Sequence, residues 1–215
     1  MTRREAVALM GLSGAALLAR RAAAQGTGRV PACVVRPQQT EGPFFIDEKL
    51  NRSDIRGEPG RGEAKAGDVL QLAFAVSRLN GGACAPLGGA QVDVWHCDAT
   101  GAYSNGAQKF LRGYQVTDGT GTARFVTIYP GAYGGRAVHI HFKIRVPGQE
   151  YTSQIYFDEA VTDRVYTLEP YARNGQRRLR NDGDGLFRSG GRQLLVTPTP
   201  SGAGFATTFD IALST

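Results

Sequence analysis

The chain has 215 residues, which suits one domain and is long enough to bury a core of its own. Glycine is frequent, at 29 residues, and 41% of the residues are hydrophobic, so the composition excludes a disordered chain and favours short strands joined by turns. The formal charge is +6, but residues 1–24 carry +3 of it, and the remainder is too small to indicate a nucleic-acid partner.

The first 24 residues have the features of an export signal. Arg3 and Arg4 precede an apolar run at 6–19 that is too short to span a bilayer comfortably, and three alanines then supply the small residues of a cleavage site. We interpret the arginine pair as a twin-arginine signal, with a Sec signal or an amphipathic helix as alternatives. The expected destination is the periplasm or the cell exterior. The mature domain, 25–215, contains no apolar segment long enough to span a membrane.

The segments predicted to form strands follow an irregular N-terminal segment. Residues 25–68 are rich in glycine, proline and charge and predict an irregular N-terminal arm that wraps the domain. A short helix is expected near 158–167. The many short strands and the lack of helical periodicity predict an all-β fold, a β-sandwich. The predicted strands cover 70–76, 91–96, 122–128, 137–146, 154–157, 193–196 and 206–211.

Two of the three histidines, His139 and His141, lie on one face of the clearest predicted strand. A spacing of two places their backbones about 6.6 Å apart, which lets both imidazoles reach one metal ion. The pair alone is weak evidence for a metal site. Lys143 and Arg145 lie on the same face, so the two histidines could simply belong to the polar side of an exposed strand. With so few histidines, the remaining ligands have to be oxygen donors, which favour iron or another hard ion.

Three cysteines, Cys33, Cys84 and Cys97, follow the export signal. In an oxidising compartment they allow one disulfide and leave one thiol, and their spacing does not match a zinc site. The sequence does not fix the pairing. We expect Cys84 with Cys97, a short loop whose closure contributes roughly 3 kcal/mol in the chain-entropy description.

Five ordered motifs are similar to those of the intradiol ring-cleavage dioxygenases, the family of protocatechuate 3,4-dioxygenase and catechol 1,2-dioxygenase. The resemblance is strongest to the exported, single-domain branch, covers about residues 33–195, and is far more specific than one histidine pair. It implies the intradiol type of β-sandwich. The motifs are QTEGPFF (39–45), DVWHCDATGAYS (93–104), TIYPGAY (127–133), RAVHIHF (136–142) and QIYF (154–157).

The resemblance implies four ligands for a ferric ion, Fe(3+). Tyr103 corresponds to an equatorial tyrosinate and Tyr133 to an axial one, although a loop tyrosine on its own more often packs on the surface. His139 corresponds to an equatorial histidine and His141 to an axial one. Arg136 matches the arginine that supports the reacting substrate carbon.

Two further polar residues lie near these motifs. Gln154 matches a glutamine that lies beside the ligands, with a strand hydrogen bond as the alternative interpretation. His96 matches no ligand, and we expect it to support the structure.

The activity that the resemblance implies is cleavage of catechols by O2 between the two hydroxylated carbons, giving muconate-type diacids. Two alternatives stay open: a non-catalytic β-sandwich binding module, and a zinc hydrolase, for which tyrosinates are poor ligands. The segment between Tyr133 and His139 is short, and Gly134 and Gly135 offer little side chain to wall a pocket, so we expect a shallow site that accepts bulky catechols. We expect no counterpart of the N-terminal helical dimerisation region of the catechol 1,2-dioxygenases, which leaves the oligomeric state open.

Overall fold

Two five-stranded sheets form most of the structure, a computed structural model that describes residues 33–60, 62–173 and 178–214. Among these residues the helices are α1 (Glu159–Val165) and the short α2 (Gly185–Arg188), with 3₁₀ turns at Asn181–Gly183 and Gly191–Leu194. The strands are β1 (Val69–Asn80), β2 (Ala83–Pro86), β3 (Gln91–Trp95), β4 (Arg112–Val116), β5 (Thr122–Ile128), β6 (His139–Val146), β7 (Gln149–Phe157), β8 (Leu195–Val196), β9 (Thr199–Ser201) and β10 (Gly204–Ser214).

The sheets pack against each other through alternating apolar side chains, which confirms the predicted β-sandwich. The first sheet has the order β2-β1-β10-β9, with β5 also paired to β1, and the second has the order β4-β3-β6-β7-β8. Leu72 and Phe74 of β1 face inward and are buried. The Phe74 ring lies 5.3 Å from the ring of Phe142 in the second sheet, so the core lies between the two sheets.

The N-terminal arm crosses the outer face of the second sheet. It meets the edge of β7, where the Gln39 amide donates to the Thr152 carbonyl over 3.0 Å. It reaches β4 on the opposite edge, where the Tyr114 amide donates to the Leu50 carbonyl over 2.8 Å. In the described part of the predicted arm, only isolated bridges interrupt the irregular backbone, as the sequence led us to expect.

Both faces of β6 are therefore buried. Ile140 and Phe142 face the core, and His139 and His141 on the other face are only 3% and 2% exposed. The arm covers this second face, where Phe45 lies over the Lys143 ammonium at 4.3 Å. The alternative of an exposed polar strand is wrong, because a segment without strand periodicity covers it.

Most predicted elements lie close to their observed positions. The predicted 193–196 strand is half wrong, since Gly191–Leu194 forms a 3₁₀ turn and strand β8 begins at Leu195. Strands β2, β4 and β9 were not predicted. Helix α1 lies within the expected range, and the Asp158 carboxylate caps it by accepting from the Ala160 amide. No helix of the described residues is long and apolar enough to cross a membrane, and the proposed export signal lies outside the described residues.

The disulfide joins Cys33 to Cys84, so the expected pairing of Cys84 with Cys97 is wrong. Cys84 lies on β2 in the first sheet, whereas Cys97 follows β3 in the second, and the sandwich separates them. The Cys97 thiol is buried and donates to the Gly131 carbonyl over 3.3 Å. Burial raises the pKa of Cys97 to about 12, so it remains a neutral thiol.

Candidate active site

The four predicted ligands converge between the outer face of the second sheet and the arm. The Nε2 atoms of His139 and His141 lie 3.0 Å apart. The Tyr103 hydroxyl lies 3.4 Å from the His139 Nε2. The Tyr133 ring stands perpendicular to the Tyr103 ring, with the centroids 5.3 Å apart. The structure thus brings together two imidazoles and two phenols from separate parts of the chain.

The histidines are arranged as neutral nitrogen donors. The Nδ1 of His139 lies 2.6 Å from the Ala137 carbonyl, which can only accept a hydrogen bond. Nδ1 therefore carries the proton and leaves an Nε2 lone pair facing His141. Burial lowers the pKa of His139 to about 4 and the pKa of His141 well below its usual value. Both imidazoles are consequently neutral at pH 7, as metal ligands must be.

Aromatic contacts from the arm and β3 fix the orientation of these rings. Phe44 stacks on Tyr103 with centroids 4.1 Å apart and meets Tyr133 edge-on at 5.2 Å. Trp95 lies parallel to His141, at 5.1 Å between centroids. A Cβ on Gly42 would come within 3.2 Å of the His141 ring, so the arm backbone passes close to the imidazole. Phe44 and Gly42 lie within a recognised motif, but the sequence alone assigned them no role.

The donor atoms fit a hard metal ion. Atoms that share one ion at bond lengths of about 2.1 Å, at right angles or slightly more, lie roughly 3.0–3.4 Å apart. The distances from His139 Nε2 to His141 Nε2 and to the Tyr103 hydroxyl, 3.0 Å and 3.4 Å, fall in this range. Burial raises the pKa of Tyr103 above its usual value, so a nearby cation is needed to make it a phenolate. Among the described residues no group of three or more His, Cys, Asp or Glu side chains could hold a metal ion, so a metal at this place depends on tyrosine oxygens. Two nitrogen and two oxygen donors favour iron over softer ions.

Arg136 and Gln154, which the sequence placed near the ligands, contact each other. The Nη2 of Arg136 donates to Gln154 Oε1 over 2.7 Å and to the Tyr156 hydroxyl over 3.2 Å. Its Nε donates to the Asp184 carboxylate over 2.9 Å. Gln154 Nε2 in turn donates to the Thr40 carbonyl over 3.0 Å. The sequence analysis assigned no role to Tyr156 or to Asp184. Asp184 lies outside every recognised motif.

His96 has the structural environment that we expected. Its Nε2 lies 2.6 Å from the Thr127 hydroxyl and its Nδ1 lies 2.8 Å from the Cys97 carbonyl. Burial lowers the pKa of His96 to about 4, so it is neutral at pH 7. Both ring nitrogens are used within the fold, and His96 is not a candidate ligand.

The loop between Tyr133 and Arg136 is a tight turn closed by the Arg136 amide, which donates to the Tyr133 carbonyl over 3.0 Å. Gly134 and Gly135 at its tip are exposed. A Cβ added to either glycine would meet nothing within 4 Å, so the space beside this turn is open.

Residues 40–184 match the family model described as Dioxygenase. Over 155 residues the chain is 30% identical to catechol 1,2-dioxygenase from Candida albicans, and the match covers 60% of this chain and 50% of that protein. The chain thus spans about half the length of that curated relative.

Two solved structures share the fold, and each is about one third identical in sequence to this chain. The intradiol ring-cleavage dioxygenase from Tetranychus urticae is 31% identical, with a TM-score of 0.77 over 85% of this chain and 95% of that chain. The dioxygenase domain of a carbohydrate-binding protein fusion from Streptomyces sp. SirexAA-E is also 31% identical, with a TM-score of 0.66 over 84% of this chain and 98% of that chain. The family match covers well over half of the chain and confirms the resemblance drawn from the motifs. The chain belongs to the intradiol ring-cleavage dioxygenase family.

Proposed function

We propose that this protein is a ferric-iron dioxygenase that cleaves catechols between their two hydroxylated carbons and forms muconate-type diacids. The observation that carries the proposal is the approach of His139 Nε2 to His141 Nε2 and to the Tyr103 hydroxyl, at 3.0 Å and 3.4 Å. The activity named for the Candida albicans relative, catechol 1,2-dioxygenase, supports the substrate class.

The four converging side chains would hold the iron. As phenolates, Tyr103 and Tyr133 offset two of the three positive charges, while His139 and His141 bind as neutral donors. Bound ferric iron would supply Lewis acidity, which makes a coordinated catechol reactive toward O2.

The two tyrosines have different roles in this proposal. A catechol that binds as a dianion must lose two protons. We assign the Tyr133 phenolate oxygen as the acceptor of one of them, and a hydroxide that balances the third positive charge would take the other and leave as water. Tyr133 adjoins the exposed glycines of the turn and meets Phe44 only edge-on. Tyr103 lies under the full face of Phe44, which favours its remaining in place during turnover.

Arg136 is the group that we assign to stabilise negative charge on the reacting ring. Its side chain is 20% exposed, and its Nε and Nη2 are bound to Asp184, Gln154 and Tyr156. Its Nη1 makes no hydrogen bond to any described residue and is the donor left for a ligand. Gln154 acts through the guanidinium that it holds.

The decisive experiment is to incubate the purified protein with catechol and ¹⁸O₂ and to analyse the product by mass spectrometry. A diacid that carries two labelled oxygen atoms is the expected result. A semialdehyde would show cleavage outside the diol. Catechol binding without oxygen consumption by the iron-loaded protein would favour the second candidate, a binding module that kept the fold.

We also propose that the protein is exported by the twin-arginine route. The disulfide between Cys33 and Cys84 supports an oxidising destination, because such bonds rarely persist in the cytosol. Replacing Arg3 and Arg4 with lysine should retain the folded protein inside the cell. Undiminished export after that change would contradict the twin-arginine assignment.

A further inference from the structure

We propose that Asp184 is a positioning residue that fixes the orientation of Arg136, an inference that rests on the proposed dioxygenase function. Its side chain is only 2% exposed and faces the Arg136 guanidinium. Burial opposes its ionisation, but the Ala137 amide and the charge of Arg136 outweigh that cost, and the pKa of Asp184 lies below its usual value. Asp184 is therefore an ionised, buried carboxylate beside the candidate site.

The two carboxylate oxygens of Asp184 have separate partners. Oδ1 accepts from the Leu186 amide over 2.8 Å and so caps helix α2. Oδ2 accepts from the Arg136 Nε over 2.9 Å and from the Ala137 amide over 2.8 Å. The Ala137 carbonyl in turn accepts from His139, so one carboxylate fixes both the arginine and the backbone that leads to a candidate ligand.

A closed circuit of hydrogen bonds supports this arrangement. From Arg136 it continues to the Tyr156 hydroxyl, which donates to Gln39 Oε1 over 2.8 Å. Gln39 Nε2 donates to the Leu186 carbonyl over 2.7 Å, and Leu186 lies in the helix that Asp184 caps. Arg136 is thus held from two sides, by Asp184 at the start of α2 and by Gln154 and Tyr156 of β7. Among the described residues, this leaves Nη1 without a hydrogen-bond partner.

The geometry of this circuit predicts that the orientation, and not merely the presence, of the guanidinium limits turnover. A misplaced arginine still carries its charge, but it stabilises charge developing on the ring less well. Asp184 makes no hydrogen bond to the four candidate ligands, so its effect on turnover passes either through Arg136 or through Ala137, whose carbonyl accepts from His139. A second background, Arg136→Ala, separates these two routes.

The test is the variant Asp184→Asn, with Asp158→Asn as its matched control. Asparagine still offers an oxygen to cap the helix, but its NH₂ only donates and can accept from neither the Arg136 Nε nor the Ala137 amide. Asp158 caps α1 through the Ala160 and Val161 amides. We expect Asp184→Asn to lower kcat by about tenfold or more with KM and the visible spectrum preserved, and Asp158→Asn to leave kcat within about twofold.

A second background separates positioning from a general loss of structure. In Arg136→Ala protein, adding Asp184→Asn should change kcat by less than about twofold, because the partner is already absent. An equal loss of kcat in both backgrounds would show that Asp184 does not act through Arg136. Asp184→Ser, which keeps a capping oxygen but not the second carboxylate oxygen, replaces Asp184→Asn if that variant does not fold.

Crystal structures of the wild type and of Asp184→Asn provide a readout that does not depend on activity. We expect the Arg136 guanidinium to leave its position beside Gln154 in the variant. A guanidinium that stays in place would overturn the proposal. Wild-type protein without ring-cleaving activity would contradict the proposed function instead, and the two failures are therefore distinguishable.

Discussion

The Phe44 ring lies parallel to the Tyr103 ring, with centroids 4.1 Å apart and planes inclined by 9°. Phe44 belongs to the irregular arm, and its carbonyl accepts from the Arg112 guanidinium of β4 over 3.2 Å. The irregular arm is thus hydrogen-bonded to β4 through Phe44, the residue that covers the candidate ligand Tyr103. The arm is part of the candidate site, although the sheets carry both histidines.

Removing this ring should weaken metal binding. Stacked aromatic pairs contribute about 1 kcal/mol beyond their buried area, so Phe44→Ala should lower iron affinity by roughly fivefold. Competition with a chelator measures the change. Val35→Ala, at an exposed position of the same arm, is the control and should leave the affinity unaltered. Equal affinities for all three proteins would show that Phe44 does not hold Tyr103.

Arg136→Ala should reduce kcat by about 10²-fold or more with a smaller change in KM, because the lost interaction acts on charge that develops during the reaction. Steady-state kinetics with catechol distinguishes the two effects. Arg124→Ala removes an exposed arginine that pairs with Asp118 on the first sheet, and it should retain full activity. A change confined to KM would mean that Arg136 only binds substrate.

The open space beside the Tyr133–Arg136 turn should make the site tolerant of bulky catechols. The wild type should show comparable kcat/KM for catechol, 4-methylcatechol, protocatechuate and a caffeate-sized catechol. Gly134→Leu adds a side chain there and should reduce kcat/KM several-fold more for the largest substrate than for catechol, which corresponds to a discrimination of roughly 1 kcal/mol. Gly119→Leu, at another position where a Cβ meets nothing within 4 Å, is the control. Strong rejection of the bulky substrate by the wild type would mean that other residues close the pocket.

The corrected disulfide also has a direct test. Peptide mapping should join Cys33 to Cys84, and one thiol per chain, that of Cys97, should react only after denaturation. Cys84→Ser should lower the free energy of unfolding by up to roughly 4 kcal/mol in the chain-entropy description. Cys97→Ala leaves the disulfide cysteines untouched and should still form the bond. A fast-reacting thiol in the native wild type would contradict this pairing.

The strands with strict alternation were predictable, and so was the shared face of His139 and His141. The burial of that face was not predictable, because Phe45 and its neighbours in the arm have no periodic pattern of apolar residues that would indicate where they pack. The predicted pairing of Cys84 with Cys97 was wrong because the length of the loop between two cysteines does not indicate which sheet each cysteine belongs to. Asp184 was missed because its partner, Arg136, is distant in sequence and only the fold brings them together.

The visible spectrum of freshly purified protein, combined with metal analysis, tests the identity of the metal most directly. Iron bound by Tyr103, Tyr133, His139 and His141 should be present at one ion per chain and give a wine-red colour from tyrosinate-to-iron charge transfer. Tyr103→Phe should weaken that band. Stoichiometric zinc without a visible band would contradict a ferric ion at this site.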